Sequence, residues 1–208
     1  MERHTDLKGD LFIMNKISNT KKYTDILNPP GGLMIWIFTM SEIFVFICAI
    51  ATFLYQRGLE PELFLKSRLE LNQVFATVNT LILITSSFFV VRAVDAYDSK
   101  NKKKTLTNLV ISLVLGLSFI IIKFVEYNEK ASANFTLGSN SFFDYYWVLT
   151  MFHAIHVIIG LGVLASLAFY TYKDIEFKEE DLNFHTGANY WHLCDLIWMI
   201  IFPVIYLL

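Results

Sequence analysis

Cysteine is nearly absent. Cys48 and Cys194 are the only two in 208 residues, and both lie inside apolar runs, where a thiol behaves as a small hydrophobe. A disulfide framework and a Cys-x-x-Cys site are not expected. A strong charge of one sign is missing too. The net charge is −2, and the only basic tract is the short cluster Lys100, Lys102, Lys103 and Lys104, so no nucleic-acid partner is expected. Residues 1–30 contain no apolar core of signal-peptide length, and no cleaved leader is expected. There is also no internal repeat and no pair of Gly/Pro-broken apolar segments in matching halves, which argues against a proton-coupled transporter.

What the chain has in excess is apolar surface. Hydrophobic residues make up 55% and the mean hydropathy is +0.48, more than a soluble domain with a polar surface carries. The sequence reads as an all-α, polytopic membrane protein with five transmembrane helices. The spans fall at about 32–55, 71–94, 106–127, 145–172 and 187–208, each close to the roughly 20 residues that cross a bilayer. A polar segment, 1–30, leads through Asn28, Pro29, Pro30, Gly31 and Gly32 into this membrane domain of residues 31–208. A mixed-charge loop at 56–70, a polar loop at 128–143 and an acidic loop at 174–181 connect the later spans.

Lysine and arginine set the orientation. Arg3, Lys8, Lys16, Lys21 and Lys22, the 100–104 cluster, Lys173 and Lys178 share one side, against Arg57, Lys66, Arg68 and Lys130 on the other. The positive-inside rule predicts a cytoplasmic N-terminus and a C-terminus outside. The lysine cluster then meets the anionic inner lipid surface.

Polar residues inside the spans are the candidate sites, because each needs a partner or a proton in hydrocarbon. Glu42 lies roughly 15 Å into the first span at about 1.5 Å per residue, and the same stepping puts Asn79, His156 and Asp195 near one depth. Lys123, Glu126, Tyr127 and His153 fall nearer the outer face, Arg92 and His192 nearer the inner one. Lys123 and Glu126 are i,i+3 neighbours that can pair with each other or with another helix. Lys123 can equally snorkel to the interface beside Tyr127. Asn72, Gln73, Asn79, Thr80, Thr85, Ser86 and Ser87 suit close helix approach and hydrogen bonding across interfaces.

His153 and His156 interrupt the most apolar span. As i,i+3 neighbours on one helix they differ from bis-histidine haem ligands, which come from opposing helices, and tetrahedral metal sites need three or four ligands at one depth. A metal- or haem-binding membrane enzyme is the alternative that these histidines raise. A proton-coupled transporter is the one raised by Glu42, His156 and Asp195.

The motifs Ser41-Glu42, Asn79-Thr80, Lys123-Phe-Val-Glu126-Tyr127, Phe152-His153-Ala-Ile-His156-Val-Ile-Ile-Gly160 and Tyr190-Trp191-His192-Leu-Cys-Asp195-Leu-Ile-Trp198 occur in this order. Together they resemble subunit III of the haem-copper respiratory oxidases, in its five-span bacterial form, which lacks the first two helices of longer members. The run from Trp191 to Leu207 also resembles a nitric-oxide-reductase-associated branch of the family. The resemblance implies an accessory subunit in the bacterial inner (cytoplasmic) membrane with no catalytic residue, metal or haem of its own. Haem and copper, or iron, would reside in a catalytic subunit I, with subunit II as a further partner. The accessory chain would bind phospholipid and support assembly, proton uptake and turnover stability. Glu42, Asn79, His156 and Asp195 are then the buried polar set, and Arg92, Lys123, Glu126, Tyr127, His153, Trp191, His192 and Trp198 the structural or lipid-binding set.

Overall fold

A computed structural model describes residues 32–173 and 181–208; the N-terminal segment 1–30 and most of the acidic 174–181 loop lie outside the described residues. Among those described, every regular element is helical. The helices are α1 (Gly32–Leu59), α2 (Pro61–Leu69), α3 (Gln73–Asp98), α4 (Lys102–Ser132), α5 (Ser141–Tyr172) and α6 (Asp181–Phe202), and α6 runs into a π-helical turn, Pro203–Leu207. Five of them are long and apolar enough to cross a membrane: α1 and α3 to α6, the last taken with its π-turn.

The spans are longer than the apolar runs alone suggest, and their ends have local causes. Side-chain oxygens of Asn72, Asn101 and Asn140 cap the first turns of α3, α4 and α5 by accepting from backbone N–H groups two or three residues on. The caps at Asn101 and Asn140 start helix before the apolar stretch begins. The 128–143 loop is correspondingly shorter than expected, because α4 continues to Ser132. The 56–70 loop is mostly helix. Pro61 opens α2 at a position where its missing N–H costs nothing, and α2 buries Phe64 and Ser67 against the end of the bundle that holds the terminal π-turn.

α3, α4, α5 and α6 pack in a ring, each against its two neighbours, and α1 leans on α5 and α6 from outside. Trp191 occupies the middle of this ring. A Cβ at Gly116 would stand 2.7 Å from its ring, and one at Gly160 2.9 Å. Two glycines on facing helices therefore make the slot for one indole. Polar bolts hold the end beside the terminal π-turn together. The Lys130 ammonium donates to the Glu70 carbonyl at 2.6 Å, Gln73 donates to the Tyr206 carbonyl at 3.1 Å, and Arg57 and Arg68 donate to the carbonyls of Leu208 and Leu207.

Candidate functional site

Most of the predicted polar residues fall into three separate groups. The first joins α4, α5 and the terminal π-turn. Lys123 Nζ lies 3.0 Å from Glu126 Oε2 and donates to the Tyr206 hydroxyl at 2.6 Å. Tyr206 in turn donates to Glu126 Oε1 at 2.6 Å, and Tyr146 donates to the same oxygen at 2.9 Å. The rings of Tyr127, Tyr146, Trp198 and Tyr206 surround the ammonium with centroids 5.1–5.3 Å away.

Lys123 is 1% exposed and Glu126 0%. The snorkelling expectation for Lys123 is therefore wrong: its charge is drawn inward by a carboxylate and four aromatic faces. Taking two ions out of water costs several kcal/mol each, and only such near-complete pairing offsets it. The group is a closed ion pair with its aromatic cage.

The second group holds α1 to α5. Glu42 Oε2 lies 3.0 Å from His156 Nε2, and His156 Nδ1 lies 2.7 Å from the Phe152 carbonyl. A carbonyl only accepts, so Nδ1 carries a proton. The Glu42–His156 contact then contains one further proton, on the carboxyl or on the ring. The Glu42 side chain is 15% exposed, so this proton sits near the rim of the bundle. Phe46 packs against the rings of Phe152 and His156, and Tyr190 and Cys194 donate to the His156 carbonyl at 3.5 and 3.6 Å.

The third group lies between α3 and α6. Ser87 Oγ is 2.6 Å from His192 Nδ1, and Asp195, one turn further along α6, has Ser87 beside it. Asp195 is 9% exposed and its Oδ1 has no hydrogen bond. Cys194 faces His156, but Asp195, the next residue, points toward α3. Glu42, His156 and Asp195 are thus not one cluster, because a step of one residue turns a helix by about 100°.

The remaining predicted residues stand apart from these groups or brace them. Asn79 is fully buried with neither amide atom hydrogen-bonded. His153 diverges from His156: it points into the ring of helices, stacks on Trp198 at 5.1 Å and meets the edge of Phe119, with both nitrogens unbonded. Trp198 Nε1 donates to Thr80 Oγ1 at 3.0 Å, the Trp191 indole N–H has no acceptor, and Tyr127 OH is likewise buried without a hydrogen bond. Arg92 projects from the outer side of α3 over the Phe88 ring, 5.9 Å from its centroid.

These residues do not converge as a set of metal ligands. The two histidines of α5 face different partners, both His156 nitrogens are engaged, and among the described residues no three His, Cys, Asp or Glu side chains gather as a ligand set. Sequence reasoning missed Tyr206 and Tyr146 as members of the polar groups. Ser87 and Thr80 were expected to hydrogen-bond across interfaces, and they do so, to His192 and Trp198.

Comparison with known proteins assigns the chain to a family. The family model described as cytochrome c oxidase subunit III matches residues 30–208. The chain belongs to the cytochrome c oxidase subunit III family. Similar proteins include a probable cytochrome c oxidase subunit 3 of Rickettsia prowazekii, 31% identical over 134 residues, covering 63% of this chain and 47% of the relative. The cytochrome c oxidase subunit 3 of Artemia franciscana is 28% identical over 174 residues, covering 82% of this chain and 66% of the relative. The cytochrome bo(3) ubiquinol oxidase subunit 3 of Buchnera aphidicola is 26% identical over 205 residues, 98% of this chain and 95% of the relative. The chain thus spans about half the length of relatives such as the Rickettsia protein and nearly all of the Buchnera one. Within this subunit III-family chain, the matched region contains the cage, the Glu42–His156 pair and the α3–α6 group.

Proposed function

We propose that this chain is an accessory subunit III of a haem-copper respiratory oxidase in a bacterial cytoplasmic membrane. Its N-terminal side faces the cytoplasm and its last helix ends outside. The observation that carries the reading is the family match over residues 30–208. It is supported by internal chemistry devoted to joining helices: the Lys123–Glu126 cage is closed, and the Glu42–His156 contact links one helix to the bundle. Electron transfer would belong to haem and copper in a catalytic subunit I, with subunit II completing the complex. This chain would contribute assembly, turnover stability and a stable surrounding for proton uptake. Phospholipid, anionic by the placement of Arg92 and the 100–104 lysines, would be retained against it. The relatives named above are oxidase subunits, so the oxidase is preferred to the nitric oxide reductase branch.

Gentle solubilisation followed by absorption spectroscopy tests the reading. The co-purified complex is expected to show haem bands and the isolated chain none. Stoichiometric haem on the chain alone, freed of partners, would overturn it. Removing the chain should leave initial haem reduction intact and shorten active lifetime under repeated turnover.

A further inference from the structure

We propose that the ring of helices binds internal water in the layer formed by Asn79 and His153, where an amide and an imidazole enter a fully buried place without a protein partner. Such a site belongs to this chain alone, whatever complex it serves.

One residue from each helix of the ring comes to this depth. Ser86 on α3 touches Ser112 on α4, and the short turn at 99–101 makes the two helices antiparallel. Seven residues make about two turns on each helix, so Asn79 comes opposite Phe119. The Phe119 ring stands edge-on to His153 of α5 at 5.9 Å and to Trp198 of α6 at 5.1 Å. Trp198 closes the circuit. It stacks on His153 at 5.1 Å, and its Nε1 donates to the hydroxyl of Thr80, the residue after Asn79.

Asn79 and His153 are both 0% exposed, and neither the amide atoms of one nor the ring nitrogens of the other have a hydrogen bond. The Trp191 indole, packed beside Gly116 about one turn along α4, also has an N–H without an acceptor. Other buried hydroxyls of the ring are provided for: Ser86 and Ser112 satisfy each other, and Thr150 bonds back to the Tyr146 carbonyl. Leaving a buried amide and imidazole unbonded is costly, and buried polar groups that lack a protein partner are completed by ordered water in folded proteins. The Asn79 amide has two N–H donors and a carbonyl acceptor whatever the protonation of its neighbours. Its complement must therefore both accept and donate, and full burial restricts that complement to a very small molecule. A cation cannot accept the amide N–H groups, and it would be repelled by the Lys123 ammonium, 5.1 Å from the centroid of the same Trp198 ring. An anion cannot donate to the amide carbonyl. Water does both.

Radiolytic hydroxyl-radical labelling of the full chain in its co-purified complex tests for this water, because radicals formed from a bound water oxidise the side chains around it without access from bulk solvent. Phenylalanines of equal reactivity and similar burial make the comparison. Phe119 is 0% exposed, Phe53 1% and Phe64 2%, and the last two pack ring on ring with Phe142 between α1, α2 and α5. The expected result is label on Phe119 several-fold above that on Phe53 and Phe64, kept in a radical scavenger that suppresses label on the exposed Tyr55. Label on Phe119 no greater than on the other two would overturn the proposal. Loss of Phe119 label together with that of Tyr55 would trace it to bulk solvent and overturn the proposal as well.

The polar pair is tested separately. Asn79→Leu combined with His153→Phe removes both groups and should bring Phe119 label down to that of Phe53. Undiminished label on Phe119 in the assembled double variant would overturn the assignment to Asn79 and His153. If the double variant does not assemble, the wild-type chain equilibrated in heavy-oxygen water and diluted briefly into ordinary water gives a second readout. Heavy oxygen retained in Phe119 after it is lost from Tyr55 marks a slowly exchanging internal site, and equal loss from both would overturn it.

Discussion

Glu126 and Glu42 each cross-link helices in this bundle, and their surroundings differ in kind. Glu126 is fully buried and receives an ammonium and two phenol hydroxyls, drawn from α4, α5 and the terminal π-turn. Glu42 is part-exposed and meets one imidazole. The helices they serve differ in the same sense. Of the apolar window of α1, which carries Glu42, 11% is buried, against 28% for α4, which carries Glu126. A charge in the ring of packed helices is kept only with a counter-ion and several hydrogen bonds, because nothing else there can solvate it. At the rim one partner is enough, since the group shares a proton and borders the membrane surface of the bundle.

The sharpest way to break this contrast is to open the cage. Glu126→Leu leaves Lys123 as an unpaired buried ammonium and should cost about 3–5 kcal/mol, read as a fall in the thermal midpoint of the detergent-solubilised protein. The double variant Lys123→Met with Glu126→Leu removes both charges and should recover a large part of that loss. If the double variant is no more stable than Glu126→Leu alone, the cage is not held by charge pairing. Second in size is the Trp191 slot. Gly160→Ala sets a methyl group 2.9 Å from the indole ring, and overpacking of this kind costs about 1–3 kcal/mol. Gly162 on the same helix has open space at its Cβ, so Gly162→Ala serves as the control and should change the midpoint little.

The same contrast explains how much could be read before any coordinates. Five apolar runs with their flanking charges make five spans legible, because hydrocarbon thickness sets a length that few other structures require. The i,i+3 spacing of Lys123 and Glu126 makes their pairing legible too. Tyr206 is not legible. It lies 83 residues from Lys123, and only the folding back of α6 with its π-turn brings the phenol to the ammonium. The divergence of His153 and His156 is hidden for a related reason. α5 is buried on several sides, so two residues about 60° apart around its axis meet different neighbours: Trp198 in the ring of helices, Glu42 at its rim. α2 is also hidden, because its mixed-charge sequence resembles a loop until Phe64 is seen packing on Phe53 and Phe142.

Third in size is the rim pair itself. Glu42→Leu removes the partner of His156 and leaves a ring nitrogen unsatisfied in a mostly buried place, a loss of about 1–3 kcal/mol. Glu42→Gln keeps an amide that can bond the ring and should lose less. Comparable recovery of assembled protein from both variants would mean that α1 is held by Phe46 and Phe53 packing, with the carboxyl contributing nothing.

The smallest effect belongs to a link that lacks charge. Ser86 Oγ lies 2.7 Å from Ser112 Oγ and 3.0 Å from the Ser112 carbonyl, both fully buried between α3 and α4. In Ser86→Ala the Ser112 hydroxyl has another acceptor within reach, the carbonyl four residues back in its own helix. Thr77, Thr80, Thr85 and Ser118 already use that arrangement in these spans. The unfolded chain within the membrane satisfies its hydroxyls in the same way, so the expected cost is about 0.6 kcal/mol, a barely resolved shift in midpoint. His156 has no such retreat, because its Nδ1 already occupies the carbonyl of Phe152 and its Nε2 has no other partner. Losses should therefore follow the order Glu126→Leu, Glu42→Leu, Ser86→Ala. If Ser86→Ala destabilises as much as Glu42→Leu, the capacity of a group to find a second partner is not what separates the strong links from the weak ones.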